Sequence, residues 1–254
     1  AQAQASAPEV VLWVDTFNTY FEPENAHAAL AVLRAAGYRV HVALAADDGP
    51  PLCCGRTLLA TGLVDQARTE ARRVIDALRP YVQRGLPVIG LEPSCLLTLR
   101  DEFRVLLPGA EAEALAGCAL LLEEFLVREQ AAGRLSLALK PIAAKRALLH
   151  GHCHQKAFGV MPAMQQALAL VPQLMVETVE AGCCGMAGAF GYQADHYALS
   201  MRMAEAGLLP AVRAAAHDTL VVANGTSCRH QIRDGARRDA VHLARVLKSA
   251  LQDA

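Results

Sequence analysis

Two Cys-Cys-Gly triplets, Cys53-Cys54-Gly55 and Cys183-Cys184-Gly185, stand one in each half of this 254-residue chain. Adjacent cysteines are a poor start for an ordinary disulfide, because a ring closed across one peptide bond is strained well outside normal disulfide geometry. A soft metal accounts for them better. Each pair is followed at a distance by an isolated cysteine, Cys95 in Glu92-Pro93-Ser94-Cys95 and Cys228 in Gly225-Thr226-Ser227-Cys228. Cys153 lies between two imidazoles in His152-Cys153-His154, close enough for the three to act together in a metal or redox role. Thiols bind metal only when deprotonated. A loop running into a helix N-terminus lowers thiol pKa through exposed N–H groups and the helix dipole, and Cys95 and Cys228 are both predicted at such starts. Asp15 and Glu92 stand at predicted strand ends, where a carboxylate serves either chemistry or the N-terminus of the next helix. The eighth cysteine, Cys118, sits in the apolar run Gly117-Cys118-Ala119-Leu120 and reads as core packing.

These residues need a scaffold that delivers them to one place, and the chain patterning supplies it twice. Val10 to Val14 reads as a strand, Glu24 to Ala36 as a helix stopped by Gly37, and Arg39 to Leu44 as a second strand. The first cysteine-pair loop follows, then a long helix over Val64 to Gln83 and a third strand over Pro87 to Leu91. A helical stretch from Glu111 to Ala132 closes this half. The pattern restarts with a strand at Ala147 to His150, a helix near Ala163 to Val171, a strand at Leu174 to Val179 and the second cysteine-pair loop. A helix near His196 to Ala215 and a strand at Thr219 to Ala223 complete it. Cys183 follows Cys53 by 130 residues and Cys228 follows Cys95 by 133. An internal repeat of alternating β and α segments predicts an α/β fold of two similar Rossmann-like lobes, each with a parallel sheet, related by a pseudo-twofold axis. The expected lobes are 9–140 and 141–254, with 1–8 a linker or a cut boundary. Sites in open α/β sheets form beyond the carboxyl ends of the strands, where every one of these cysteines except Cys118 falls.

Composition narrows the chemistry. Lys and Arg total 24 against 25 Asp and Glu, for a formal charge of -1, and no basic stripe with interleaved aromatics offers a nucleic-acid footprint. The longest apolar stretches are broken by Glu123, Glu124 or Pro172 short of bilayer-spanning length, so no transmembrane segment is expected. Eight cysteines are too few for a disulfide scaffold at this length. Reduced thiols in a cytoplasmic setting are the expectation, with any attachment to a membrane made through partners. The absence of Cys-x-x-Cys argues against a thioredoxin site, a zinc ribbon or a bacterial ferredoxin run. Gly182, Gly185, Gly188 and Gly191 do not match Gly-x-Gly-x-x-Gly, so a dinucleotide site is not indicated.

The motifs together resemble a known family. Val14-Asp15-Thr16-Phe17, Cys53-Cys54-Gly55-Arg56, Glu92-Pro93-Ser94-Cys95, His150-Gly151-His152-Cys153-His154-Gln155-Lys156, Gly182-Cys183-Cys184-Gly185-Met186-Ala187-Gly188 and Ser227-Cys228-Arg229-His230-Gln231 carry the likeness. They are similar to the duplicated cysteine-rich CCG domain of heterodisulfide reductase and of iron-sulfur subunits of glycolate and lactate oxidases. The nearest likeness is to the C-terminal segment of FAD-linked, iron-sulfur D-2-hydroxy-acid dehydrogenases. The resemblance implies an electron-transfer module holding an iron-sulfur cluster or a mononuclear iron or zinc, working beside a flavin-containing domain or subunit and an electron acceptor. FAD itself is expected only in that other domain. The chain departs from the heterodisulfide reductase pattern, with Thr16 in place of a first cysteine and with Glu92 and Gly225 where each Cys-x-x-Cys would begin. The implied ligand pool is therefore mixed: Cys53, Cys54, Glu92 and Cys95 in the first half, and His152, Cys153, His154, Cys183, Cys184 and Cys228 in the second. Carboxylate, imidazole and thiolate together suit iron or zinc. A structural zinc module that docks a flavin domain, and a thiol or heterodisulfide reductase-like redox site, are the alternative readings.

Overall fold

In the computed structural model, which describes residues 7–45 and 49–252, strands and helices alternate through two successive four-stranded sheets. Residues 1–6 of the expected linker lie outside the described residues. The first lobe runs β1 (Glu9–Leu12), α1 (Thr16–Tyr20), α2 (Pro23–Ala35), β2 (Arg39–Val42), α3 (Arg56–Ala60) and α4 (Val64–Val82). It continues through β3 (Val88–Gly90), α5 (Pro93–Arg100), α6 (Glu102–Leu106), α7 (Ala110–Cys118), β4 (Ala119–Leu121) and α8 (Leu122–Ala131). The second lobe runs β5 (Arg146–Leu149), α9 (Cys153–Ala157), α10 (Met161–Ala169), β6 (Met175–Thr178), α11 (Ala194–Glu205) and α12 (Leu208–Ala214). It ends with β7 (Leu220–Val222), α13 (Thr226–Ala236), β8 (Ala240–Val241) and α14 (Leu243–Ser249). Strand order is β2-β1-β3-β4 in one sheet and β6-β5-β7-β8 in the other, and every pairing is parallel. The α/β class and the two similar lobes expected from the repeat are therefore present.

Alternation along the inner strands divides the core, because successive side chains of a strand point to opposite faces. Val10 and Leu12 of β1, with Ala147 and Leu149 of β5, enter one apolar cluster shared by the two lobes. Val11 and Trp13 face the outer core of the first lobe, where Cys54 and Cys95 also lie. Leu148 faces a smaller outer core with Cys184 and Cys228. The lobes also exchange helices: α8, which leaves β4, packs on α10 of the second lobe, and α14, which leaves β8, packs on α2 of the first.

Two predicted helices need correction. The stretch from Glu111 to Ala132 is α7, a three-residue strand and then α8, because Ala119-Leu120-Leu121 pairs with Val88, Ile89 and Gly90 as the sheet's fourth strand. A strand this short, buried on a parallel sheet, carries no period that separates it from the apolar helix around it. The stretch from His196 to Ala215 is likewise two helices, α11 and α12, parted at Gly207. Among the described residues no helix is long and apolar enough to cross a membrane.

Candidate metal centre

Each Cys-Cys-Gly loop is built the same way. Gly55 and Gly185 adopt φ of 74° and 91°, left-handed conformations that favour glycine. Their N–H groups turn back onto the first cysteine of each pair, at 3.5 Å to the Cys53 sulfur and 3.3 Å to the Cys183 sulfur. At Gly185 an added Cβ would lie 2.1 Å from the Ser200 carbonyl oxygen. The glycine of the motif thus bends the backbone and supplies a donor to sulfur.

The helix starts that follow are also paired across the repeat. Asp15 caps α1, its carboxylate accepting from the Phe17 N–H at 2.9 Å and the Asn18 N–H at 3.1 Å. His152 holds the same place on α9, where its Nδ1 accepts from the His154 N–H at 3.1 Å. Cys95 and Cys228 each occupy the third position of their helices, α5 and α13. Glu92 is buried and works across the lobes: its carboxylate accepts from Ser94 Oγ at 2.8 Å and from the Thr226 N–H, at the start of α13, at 2.9 Å. Gly225, its counterpart, leaves room for an imidazole, since a Cβ there would meet His152 Cδ2 at 2.4 Å and the Cys228 sulfur at 3.3 Å.

The two lobes differ in how far they gather donors. In the second, ligand atoms of His150, Cys184 and Cys228 all lie within 4.8 Å of one another, and all three residues are buried. This is the one group of three or more such donors found at that spacing among the described residues. The Cys184 and Cys228 sulfurs are 3.5 Å apart. Contacts run on from Cys184 to Cys183 and from Cys183 to Cys153, so four thiols form a connected string. Hydrogen bonds from Cys153 and Cys184 hold the Cys183 thiol below the ordinary range. The Cys184 contact does the same for Cys228 against the cost of burial, aided by the nearby imidazoles of His150 and His152, while the same contacts push Cys153 and Cys184 up.

Cys53, Cys54, Cys95 and Glu92 form no comparably tight group. Cys53 is pushed up by its hydrogen bond with Cys54 and by burial. At Cys95 the hydrogen bond with Cys54 acts downward, but burial and the nearby Asp15 and Glu92 carboxylates outweigh it and carry the thiol up to about 12. These first-lobe cysteines instead line an interlobe cavity of about 560 Å³, opposite Phe190 and Tyr192 of the second lobe. Burial, with Glu92 nearby, likewise raises Asp15 to about 6.

His150 is the residue that the sequence reading left out of the donor set. It lies one position beyond β5, fully buried, and neither ring nitrogen has a hydrogen-bond partner. Its backbone N–H donates to Val222 at 2.8 Å, as that of Trp13 donates to Ile89 at 2.9 Å, so His150 and Trp13 hold matching positions. A buried imidazole without partners calls for an explanation, a bound ion among them, and the two thiols beside it complete a nitrogen-sulfur donor set that fits zinc or iron. The available signal was its register: a polar residue following Leu149 on a strand buried on both faces. His152 stacks on His154, with ring centroids 5.2 Å apart. His154 turns its Nε2 to Arg56 at 3.1 Å, and burial, with His152 and Arg56 close by, lowers its pKa to about 4.

Two parallel α/β lobes, each presenting a cysteine pair on a glycine-bent loop and a further cysteine at a helix start, define a duplicated cysteine-rich redox-type domain. The chain belongs to the CCG cysteine-rich domain family, which it matches twice, over residues 15–100 and 147–233. It is similar to a subunit of the anaerobic glycerol-3-phosphate dehydrogenase of Escherichia coli, at 29% identity over 252 residues, covering 99% of this chain and 61% of that one. It is also similar to D-2-hydroxyglutarate dehydrogenase of Escherichia coli, at 24% over 251 residues, 97% of this chain and 23% of that one. The Pseudomonas putida D-2-hydroxyglutarate dehydrogenase is 28% identical over 240 residues, 92% of this chain and 21% of that one. The chain thus spans less than two thirds of the first of these relatives and under a quarter of the other two.

Proposed function

We propose that this chain is the electron-transfer domain of a flavin-linked dehydrogenase, with an iron-sulfur cluster or a mononuclear iron held in the second lobe. The observation that carries the reading is the buried group of His150, Cys184 and Cys228, continued by Cys183 and Cys153. When bound, such a centre supplies a site that accepts and passes on single electrons. Cys183 and Cys228, already drawn toward the thiolate, meet the requirement that metal ligands be deprotonated. His150 offers a buried ring nitrogen that no other polar group occupies. Gly185 and Gly225 keep the backbone and the His152 ring close to sulfur. Glu92 and Arg229 hold α13, and with it Cys228, against the first lobe.

The relatives named above are dehydrogenases of hydroxylated anions. Together with the motif resemblance, they favour a D-2-hydroxy acid such as glycolate, D-lactate or D-2-hydroxyglutarate as the fuel of the parent enzyme, oxidised at a flavin in another domain or subunit. Reductive titration of chain purified without oxygen tests the reading. Uptake of electrons by a protein-bound chromophore is the expected result. A chain that holds only zinc and takes up no electrons overturns it, in favour of a structural docking module.

A further inference from the structure

Glu123 is the second residue of α8, a first-lobe helix that packs into the second lobe, and it is completely buried. A buried carboxylate without a cation is costly, yet apart from its own backbone N–H the hydrogen bonds that reach this one come from side-chain amides. Gln155 Nε2 donates to Oε1 at 2.5 Å, and Asn224 Nδ2 donates to both oxygens at 3.2 Å. Neither amide is a candidate ligand, but each is tied to a ligand-bearing loop. Gln155 Oε1 accepts from the His152 N–H at 3.0 Å, at the start of the helix that opens with Cys153. Asn224 immediately precedes Gly225 and the Cys228 helix, and its carbonyl accepts from Arg229 Nη1 at 2.7 Å. One carboxylate therefore joins both sides of the second-lobe site.

The arrangement is one-sided. Ala244, the second residue of α14, holds the matching place against the first lobe and carries no charge. A carboxylate needed only to join the lobes would serve equally at both places, whereas Glu123 stands only on the side of the tight His150, Cys184 and Cys228 group.

We propose that Glu123 holds the compensating proton of the second-lobe site, taking one proton from solvent as one electron arrives there and releasing it as the electron leaves. The proposal rests on the electron-transfer reading given above. A proton taken up this way keeps total charge constant in a buried region where an added charge is poorly solvated. Burial, with Glu124 beside it, raises the Glu123 pKa to about 7, which puts proton exchange within reach of neutral pH. The charged and titratable groups on the elements around it are Glu124, Arg128 and Glu129 on α8; His152, Cys153, His154 and Lys156 at α9; Cys228, Arg229, His230, Arg233 and Asp234 on α13; and His242, Arg245 and Lys248 at α14. Glu124 is paired with Arg100.

The test is reductive titration of the metal-loaded chain between pH 6 and 9, in wild type and in Glu123→Gln, which keeps the side-chain shape and an acceptor oxygen. Wild type is expected to show a reduction equilibrium constant that falls tenfold per pH unit over part of this range, the mark of one proton per electron. Its reduced-minus-oxidised infrared spectrum is expected to gain the carbonyl stretch of a protonated carboxylic acid. Glu123→Gln should show neither. A pH-independent wild-type constant, or a pH dependence and infrared band that persist in Glu123→Gln, overturns the proposal and leaves electron transfer standing. Absence of any electron uptake overturns both readings. If that variant does not fold, Glu123→Asp, which keeps the acid but moves it, is expected to shift the infrared band, and a band left unmoved overturns the proposal.

Discussion

At the scale of single residues, the site depends on small groups placed where a side chain would intrude. Gly225 has ordinary backbone angles, with φ of −78°, so its role is space for the His152 ring beside Cys228. Gly225→Ala should therefore leave the fold intact while displacing His152, and weaken metal binding about 10- to 100-fold, as loss of a supporting contact does elsewhere. Competition with a chelator of known affinity measures this, and unchanged retention of metal would remove His152 and Gly225 from the account. The motif cysteines were legible as residues, because paired thiols at matching repeat positions have little packing rationale. His150 was not, since in sequence it is only the end of an apolar strand, and its freedom from hydrogen bonds exists only in three dimensions.

At the scale of elements, the helix that ends each half ties the lobes together, and α14 does so through a histidine. His242 caps α14, its Nδ1 accepting from the Ala244 N–H at 3.0 Å, and its Nε2–H donates to the Leu91 carbonyl at 3.1 Å in the first lobe. The Nδ1 bond needs the neutral ring, and burial lowers its pKa from 6.5 to about 3. A depressed pKa contributes stability that is present above 6.5 and lost as pH falls toward 3. Well below pH 6.5, wild type should lose about 1.4 kcal/mol per pH unit through this residue. His242→Asn, which can still cap the helix, should lack that component. Urea denaturation of both proteins at pH 7, 6 and 5 measures the difference, and parallel stability curves would count against a neutral, buried His242. Beyond the helix predicted to start at Cys228 no element is legible in the sequence, because β8 has two residues and α14 only seven. β1, β3, β5 and β7 are legible as apolar runs closed by Gly, Pro or polar residues, and β2 and β6 as mixed segments at matching places in the repeat.

At the scale of the molecule, one duplicated architecture holds two unequal sites. Thr16, Trp13 and Glu92 stand in the first lobe where Cys153, His150 and Gly225 stand in the second. Each difference removes a ligand or commits a side chain elsewhere, as with Glu92, whose carboxylate engages Ser94 and Thr226. The first lobe is left with thiols that line an interlobe cavity. The second gathers thiols and an imidazole around a buried point. The repeat and the missing first-lobe cysteine were visible in sequence. The richer donor set of the second half follows from the same count, but which of its donors converge, His150 with Cys184 and Cys228, exists only in three dimensions.

Iron, zinc and acid-labile sulfide per chain, measured on protein purified without oxygen, test this inequality most directly when wild type is compared with Cys184→Ser, Cys228→Ser, Cys54→Ser and Cys95→Ser. The expected result is iron in wild type that is lost from the Cys184 and Cys228 variants and retained in the Cys54 and Cys95 variants, with sulfide distinguishing a cluster from mononuclear iron. Full metal content in Cys184→Ser and Cys228→Ser, or its loss only from Cys54→Ser and Cys95→Ser, would contradict a centre in the second lobe.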